Sequence, residues 1–252
     1  MTILKAESEL KAMRRSCRVA ALVLDELCRK MRPGITTKEV DQWAADLIKM
    51  HGGTSAFLGY RKYPGHICIS VNDQVVHGIG SNRMLQFGDL VSLDVGVRLG
   101  EFIGDNAKTV AIGGCGLDEQ RLLDVTEHSL YDGIKAAVAG HKVQEIGRAI
   151  QNTVEENGFS IVREFVGHGV GRTMHEEPQI PNFVDTKCSA KLKRGMTIAI
   201  EPMVNAGRPE VRILSDGWTV VTRDGSKSAH FEHTVLVTDG TAEILTCIDE
   251  AL

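Results

Sequence analysis

Apolar residues Leu10, Met13, Ala20, Leu24 and Leu27 recur at near-helical spacing, and Pro33-Gly34 ends the run. Thr36 stands three residues before Glu39, a capping-box spacing that predicts a second helix through Trp43 and Leu47 to His51-Gly52. β-Branched runs at Ile67–Val71, Leu90–Val97 and Thr109–Ile112 predict strands, and Gly113-Gly114-Cys115-Gly116 predicts a turn. The alternation then restarts. Leu122–Val138 reads as a long helix and Val143–Asn157 as a shorter one.

The restart is a repeat. At an offset of 106 residues Glu39 meets Glu145, Val40 meets Ile146, Ala44 meets Ile150, Ile48 meets Val154 and Gly52 meets Gly158. At an offset of 107, Gly88-Asp-Leu-Val-Ser-Leu-Asp94 lies beside Gly195-Met-Thr-Ile-Ala-Ile-Glu201, with a carboxylate six residues after the glycine in each. Chance agreement of helix and strand periods is the competing explanation. Duplication predicts one domain over 1–252, with halves about 1–116 and 117–252 contributing strands to a shared sheet. No low-complexity linker separates them.

Composition narrows the class. The chain of 252 residues is 42% hydrophobic and 25% charged, as an ordinary globular protein is, and holds enough apolar material for a core. A net charge of -4 gives no basic field to attract nucleic acid. The longest purely apolar run, Val19–Leu24, is far below the roughly 20 residues of a membrane span. The start MTILKAESEL lacks a basic-then-apolar signal pattern, so the expected compartment is the cytoplasm. Six scattered cysteines without a CxxC pair read as reduced thiols, and no exposed heptad argues against a monomer.

The phosphate loop GxxxxGK[ST], the GxSxG elbow and the HExxH helix are all absent. What remains is a set of acids inside apolar strand sequence. Asp94 interrupts Leu90-Val-Ser-Leu, and Asp105 follows after a Gly-bearing turn that brings the two aspartates alongside. Glu201 ends Thr197-Ile-Ala-Ile, and Glu232 precedes His-Thr-Val-Leu. Any one of them alone is more often a hydrogen-bonded or surface residue. Four together imply repulsion that cations or extra protons must relieve. His168, flanked by glycines, adds a nitrogen donor. By pattern alone, His77 and His175 fit core histidines and site residues equally well. An oxygen-rich set with one nitrogen suits a pair of divalent ions better than a tetrahedral structural zinc.

These residues resemble the pita-bread metallopeptidases, and within them the type I methionine aminopeptidases, over essentially the whole chain. The likeness is carried by Gly59-Tyr-Arg-Lys-Tyr-Pro, Cys68-Ile-Ser-Val-Asn, Val76-His-Gly-Ile, Gly104-Asp, Gly167-His-Gly-Val-Gly-Arg, His175-Glu-Glu-Pro, Glu201-Pro-Met-Val-Asn-Ala-Gly, Asp216-Gly-Trp218 and Phe231-Glu-His-Thr. The resemblance implies an α+β pita-bread fold, with pseudo-two-fold α/β halves around a central antiparallel sheet. It implies removal of the initiator methionine when the second residue is small, by a hydroxide held between two divalent ions (Co, Mn, Fe, Zn or Ni). It implies that Asp94, Asp105, His168, Glu201 and Glu232 are the metal ligands, with Asp105 and Glu232 bridging. Glu201 is also implied as general base, His175 as donor to the carbonyl oxygen and His77 as a contact near the scissile amide. Carbonyls near Asn72 and Gln74, with Ser228, match a monovalent-cation loop. Nascent N-termini and transient ribosome association are the implied partners.

The implied methionine pocket comprises Phe57, Tyr60, Tyr63, Cys68, Met174, Trp218 and His230, beside His77 and His175. Phe57 stands where a small residue is usual, Met174 where phenylalanine is, His230 where glutamine is, and Asn106 where threonine or serine is. These departures put side-chain selectivity, not metal chemistry, in question. Two other readings remain: another pita-bread exopeptidase such as an Xaa-Pro aminopeptidase, and a noncatalytic pita-bread binding protein.

Overall fold

The computed structural model describes residues 3–4 and 6–248, so the outermost positions of the expected 1–252 domain lie outside it. Helices α1 (Glu7–Lys30) and α2 (Thr37–Met50) lead into strands β1 (Thr54–Ser55), β2 (Cys68–Val71), β3 (Gln74–Val76), β4 (Leu90–Leu99) and β5 (Phe102–Ala111). Helices α3 (Leu117–Ala136) and α4 (Val143–Glu156) then precede β6 (Ser160–Ile161), β7 (Gly167–Gly169), β8 (Glu176–Ile180), β9 (Thr197–Ile200) and β10 (Met203–Asn205). The chain closes with β11 (Val211–Ile213), β12 (Val220–Thr222), β13 (Ser228–His230), β14 (Glu232–Leu236) and β15 (Glu243–Ile244).

Local chemistry sets the boundaries. Thr36 Oγ1 accepts the Glu39 N–H at 3.2 Å and the Glu39 carboxylate accepts the Thr36 N–H at 2.8 Å, the reciprocal cap expected at the start of α2. Helix α3 begins five residues before the predicted Leu122, because its first turn is exposed and carries no apolar stripe. Asp118 and Glu119 there favour the positive end of the helix dipole. The predicted strand Thr109–Ile112 is the tail of the longer β5, whose Gly-Asp-Asn-Ala stretch hides it from a β-branched pattern.

The main sheet is antiparallel in the order β1-β4-β5-β14-β9-β7-β8, with β2 also on β4 and β15 also on β14. It is symmetric about the β5–β14 pair: β4 corresponds to β9, and β2 to β7. The helices repeat with it, since α2 and α4 both have 14 residues and start 106 apart. Gly34 N–H donates to Leu85 O, and Gly140 N–H donates to Leu192 O, each at 2.9 Å. Both glycines hold φ near +90°, at 90° and 89°, a conformation that disfavours any side chain. Each half also packs its own core. Val40, Ala44 and Ile48 bury against β2 and β4, whereas Ile146, Ile150 and Val154 bury with Ile198 and Ile200.

The two faces of the sheet have different tasks. A Cβ on Gly104 would sit 2.4 Å from the Cys17 Cα, so α1 covers that face at backbone contact distance. Ser16 Oγ ties α1 down, with contacts of 3.0 Å to the carbonyls of Val97 and Phe102. Period-2 alternation therefore turns Asp105 and Ala107 to the opposite face. Among the described residues, no helix is long and apolar enough to cross a membrane.

Candidate metal centre

The uncovered face of the sheet collects the acids. Asp94 pairs with Ala107 across β4 and β5, and Ala107 pairs with Glu232 across β5 and β14. These three form one rung, with a small side chain between two carboxylates. Asp105 pairs with Gly96, two residues along, so it lies diagonal to Asp94 rather than directly opposite. His168 pairs with Ala199 across β7 and β9, and Glu201 follows just past the end of β9 on the same face.

Asp105, His168 and Glu232 each offer a donor atom within 4.8 Å of the others. His168 Nδ1 lies 2.9 Å from the Gly169 carbonyl, so a proton on Nδ1 leaves Nε2 a lone pair toward the acids. That Nε2 is 3.4 Å from Glu201 Oε1 and 3.7 Å from Asp105 Oδ2. Asp94 completes the nest from the Cys68 side, where Cys68 is its cross-strand partner. All five expected ligands thus share one pocket.

Its electrostatics are those of a cation site. Burial raises Asp94 to about 7 and Glu201 to about 8, and pushes Asp105 and Glu232 well above the ordinary carboxylate range. The neighbouring carboxylates add to the last two shifts. Burial lowers His168 to about 3, so its imidazole is neutral and able to ligate. Asp94 Oδ1, Asp105 Oδ1 and Glu232 Oε1 are buried with no hydrogen-bond partner. Orphaned carboxylate oxygens converging from separate strands fit a divalent cation, which satisfies charge and lone pairs together.

The nest floors a cavity of about 580 Å³. Phe57, Tyr63, Cys68 and Met174 are buried in its wall, and Trp218 packs edge-on to Tyr63 at 5.0 Å. Phe57 fills the space over Gly96, where a Cβ would lie 2.6 Å from its ring. The Tyr63 hydroxyl donates to the Gly78 carbonyl at 2.7 Å, so this ring faces the cavity only with its apolar part. His175 and Tyr60 stand at the mouth, and the His175 ring lies 4.2 Å from that of His168. Desolvation and then the charge of Arg61 lower the pKa of His175. His77 holds φ at +60° and packs against Phe165 and Trp218, and burial lowers it to about 4.

His230 is the exception among the expected pocket residues, for it does not line the cavity. Strand β13 belongs to a separate three-stranded sheet, and Thr109 Oγ1 clamps its backbone from β5, accepting the His230 N–H at 2.8 Å. The ring is buried beside Glu201, with Nε2 3.7 Å from Oε2, while its cross-strand partner Met203 lines the cavity. Asn106 faces away from the nest, beside His233 on β14. Asn72 and Ser228 do meet, the Ser228 N–H donating to the Asn72 carbonyl at 2.9 Å, and Gln74 Oε1 accepts the nearby Val71 N–H. Thr234 escaped the sequence reading: its hydroxyl donates to the Asp105 carbonyl at 2.7 Å and fixes β5 against β14. Its signal was the period-2 step from Glu232.

The chain is similar to known proteins over nearly its whole length. The model of metallopeptidase family M24 matches residues 11–239. The chain is 48% identical over 246 residues to methionine aminopeptidase 1 of Bacillus subtilis, covering 98% of this chain and 99% of that one. The crystal structure of methionine aminopeptidase from Rickettsia prowazekii superposes with a TM-score of 0.94 at 37% identity, covering 98% of this chain and all of that one. Prolidase from Pyrococcus furiosus, at 22% identity and a TM-score of 0.78, shares the fold alone; the match covers 98% of this chain and 66% of that one.

Proposed function

The chain belongs to metallopeptidase family M24, and from that membership we propose that it removes N-terminal methionine from peptides and nascent proteins by metal-dependent hydrolysis when the second residue is small. The observation that carries this reading is the buried carboxylate nest, with its orphaned oxygens, at the floor of an apolar-walled cavity. Asp94, Asp105, His168, Glu201 and Glu232 would hold the metal. Four carboxylates and one imidazole suit two divalent ions, and Mn²⁺, Fe²⁺, Co²⁺, Ni²⁺ and Zn²⁺ all accept such donors. A divalent ion bound there supplies Lewis acidity toward the scissile carbonyl and lowers the pKa of a water. Asn72 and Gln74 carbonyls, with Ser228, would hold a monovalent cation.

The protein's own groups do the rest. The substrate's methionine side chain enters between Phe57, Tyr63, Cys68, Met174 and Trp218, where its polarizable sulfur gains contacts with aromatic rings. His175, neutral at the mouth, donates to the carbonyl oxygen as it acquires charge. Glu201, whose burial raises its proton affinity, accepts a proton from the attacking water and passes it to the leaving amine. His77, on the wall between Phe165 and Trp218, contacts the substrate near the scissile amide. Nascent chains emerging from the ribosome in the cytoplasm are the substrates this reading implies.

The test is a peptide panel after chelation, with metal then added back. Release of methionine from Met-Ala-Ser only in the presence of metal is expected. Cleavage of Xaa-Pro peptides alone would make the protein an Xaa-Pro exopeptidase. Cleavage of neither would leave the fold as a docking surface.

A further inference from the structure

An imidazole can donate a hydrogen bond into the cavity from only one of its two neutral tautomers, and the group on its other nitrogen selects which. Tyr60 Oη lies 2.9 Å from His175 Nδ1, and the two rings stack with centroids 5.3 Å apart and planes 26° from parallel. We propose that Tyr60 is a positioning residue for His175: its phenol donates to Nδ1, so that the single N–H resides on Nε2 and is free to serve the substrate carbonyl. This rests on reading His175 as the carbonyl-oxygen donor.

The direction of donation follows from acidity. A phenol, with an ordinary pKa near 10, is a much better donor than a neutral imidazole N–H. The Arg61 guanidinium sits over the Tyr60 ring, its carbon 5.5 Å from the centroid.

The backbone that presents Tyr60 is strained. Gly59 has φ +80°, and the non-glycine residues Arg61 and Lys62 have φ +47° and +73°, a region that L side chains rarely adopt. Such a turn persists where its surroundings fix it. Here the Gly59 N–H donates to Tyr63 O at 2.9 Å, and the Tyr63 N–H donates to Tyr60 O at 2.8 Å. The Tyr63 hydroxyl in turn anchors the far end of the turn on Gly78. Tyr60 is thereby presented by a short loop whose end is tied into the buried wall.

The test uses the ¹⁵N-labelled full chain loaded with diamagnetic Zn²⁺, with the His175 ring signals assigned by their loss in His175→Gln. The expected wild-type spectrum shows Nε2 protonated and Nδ1 an acceptor. Tyr60→Phe keeps the stacked ring and loses only the hydroxyl. It should give mixed tautomers and lower kcat on Met-Ala-Ser about tenfold, with KM within about twofold. Nδ1 found protonated in the wild type would overturn the proposal whatever the variant does, and so would an unchanged tautomer or unchanged kcat in Tyr60→Phe. Loss of the aminopeptidase reading itself would show separately, as a wild-type protein without turnover, while the spectrum still decides the Tyr60–His175 pairing.

Discussion

Stripping the metal should make stability fall steeply as pH rises toward neutrality. In the metal-free nest, burial raises Asp94 from its ordinary 3.8 to about 7 and Glu201 from 4.5 to about 8. The unfolded chain therefore releases these protons first, from about pH 4 to 5, while the folded protein still holds them. Stability is full below the ordinary carboxylate pKa and is lost as pH rises through the folded values. Each retained proton contributes a slope of about 1.4 kcal/mol per pH unit. Two groups acting between about pH 5 and pH 7 give a loss of about 5 kcal/mol, comparable with the whole stability of many domains, about 5–15 kcal/mol. Excess Mn²⁺ displaces those protons, so it should flatten the slope; at a free concentration about 100 times Kd it should add about 2.7 kcal/mol. The assay is urea unfolding followed by tryptophan fluorescence at about pH 5, 6 and 7, with chelator and with Mn²⁺. A chelated protein whose stability is flat across this range would show that the folded nest holds no extra protons.

Glu201→Gln removes a charged ligand and the proposed proton acceptor, so turnover at saturating metal should be abolished; activity within about tenfold of the wild type would remove it from that role. Gly96→Ala places a Cβ 2.6 Å from the Phe57 ring and should destabilise by about 1–3 kcal/mol, with Phe57→Cys relieving most of the loss in a double-mutant cycle measured by urea unfolding. Phe57→Cys combined with Met174→Phe should raise the kcat/KM ratio of Met- over Leu-starting tripeptides, within the factor of about 10–200 that a methylene-sized difference allows; an unchanged ratio would show that these positions do not set selectivity.

The helices and the duplication were legible because they rest on local rules. The Thr36–Glu39 cap, the apolar stripe of α4 and the glycine pair Gly34 and Gly140 each leave a fixed spacing in the chain. Asp94, Glu201 and Glu232 were legible for the opposite reason, since each sits in or beside an apolar strand run with a charge that burial forbids unless something compensates, and Asp105 followed from the Gly-bearing turn after Asp94. What escaped depended on long-range pairing. Strand β5 was seen only at its end, because the small and polar residues that build the nest, Gly104 to Ala107, erase its β-branched pattern. The placing of His230 beside Glu201, with its backbone held by Thr109 from a position 121 residues away, left no signal in the chain. The left-handed turn at Arg61 and Lys62 left no trace either, as neither residue type favours that conformation.

Every role proposed for the site requires the buried acids of the main sheet to form a divalent metal centre. Anomalous diffraction from crystals of the full chain soaked in Mn²⁺ or Co²⁺ tests it most directly. The prediction is density bonded to Asp105, Glu232 and His168, with Asp94 and Glu201 completing the donor set. Crystals saturated with metal that show no anomalous density among these five residues would contradict it.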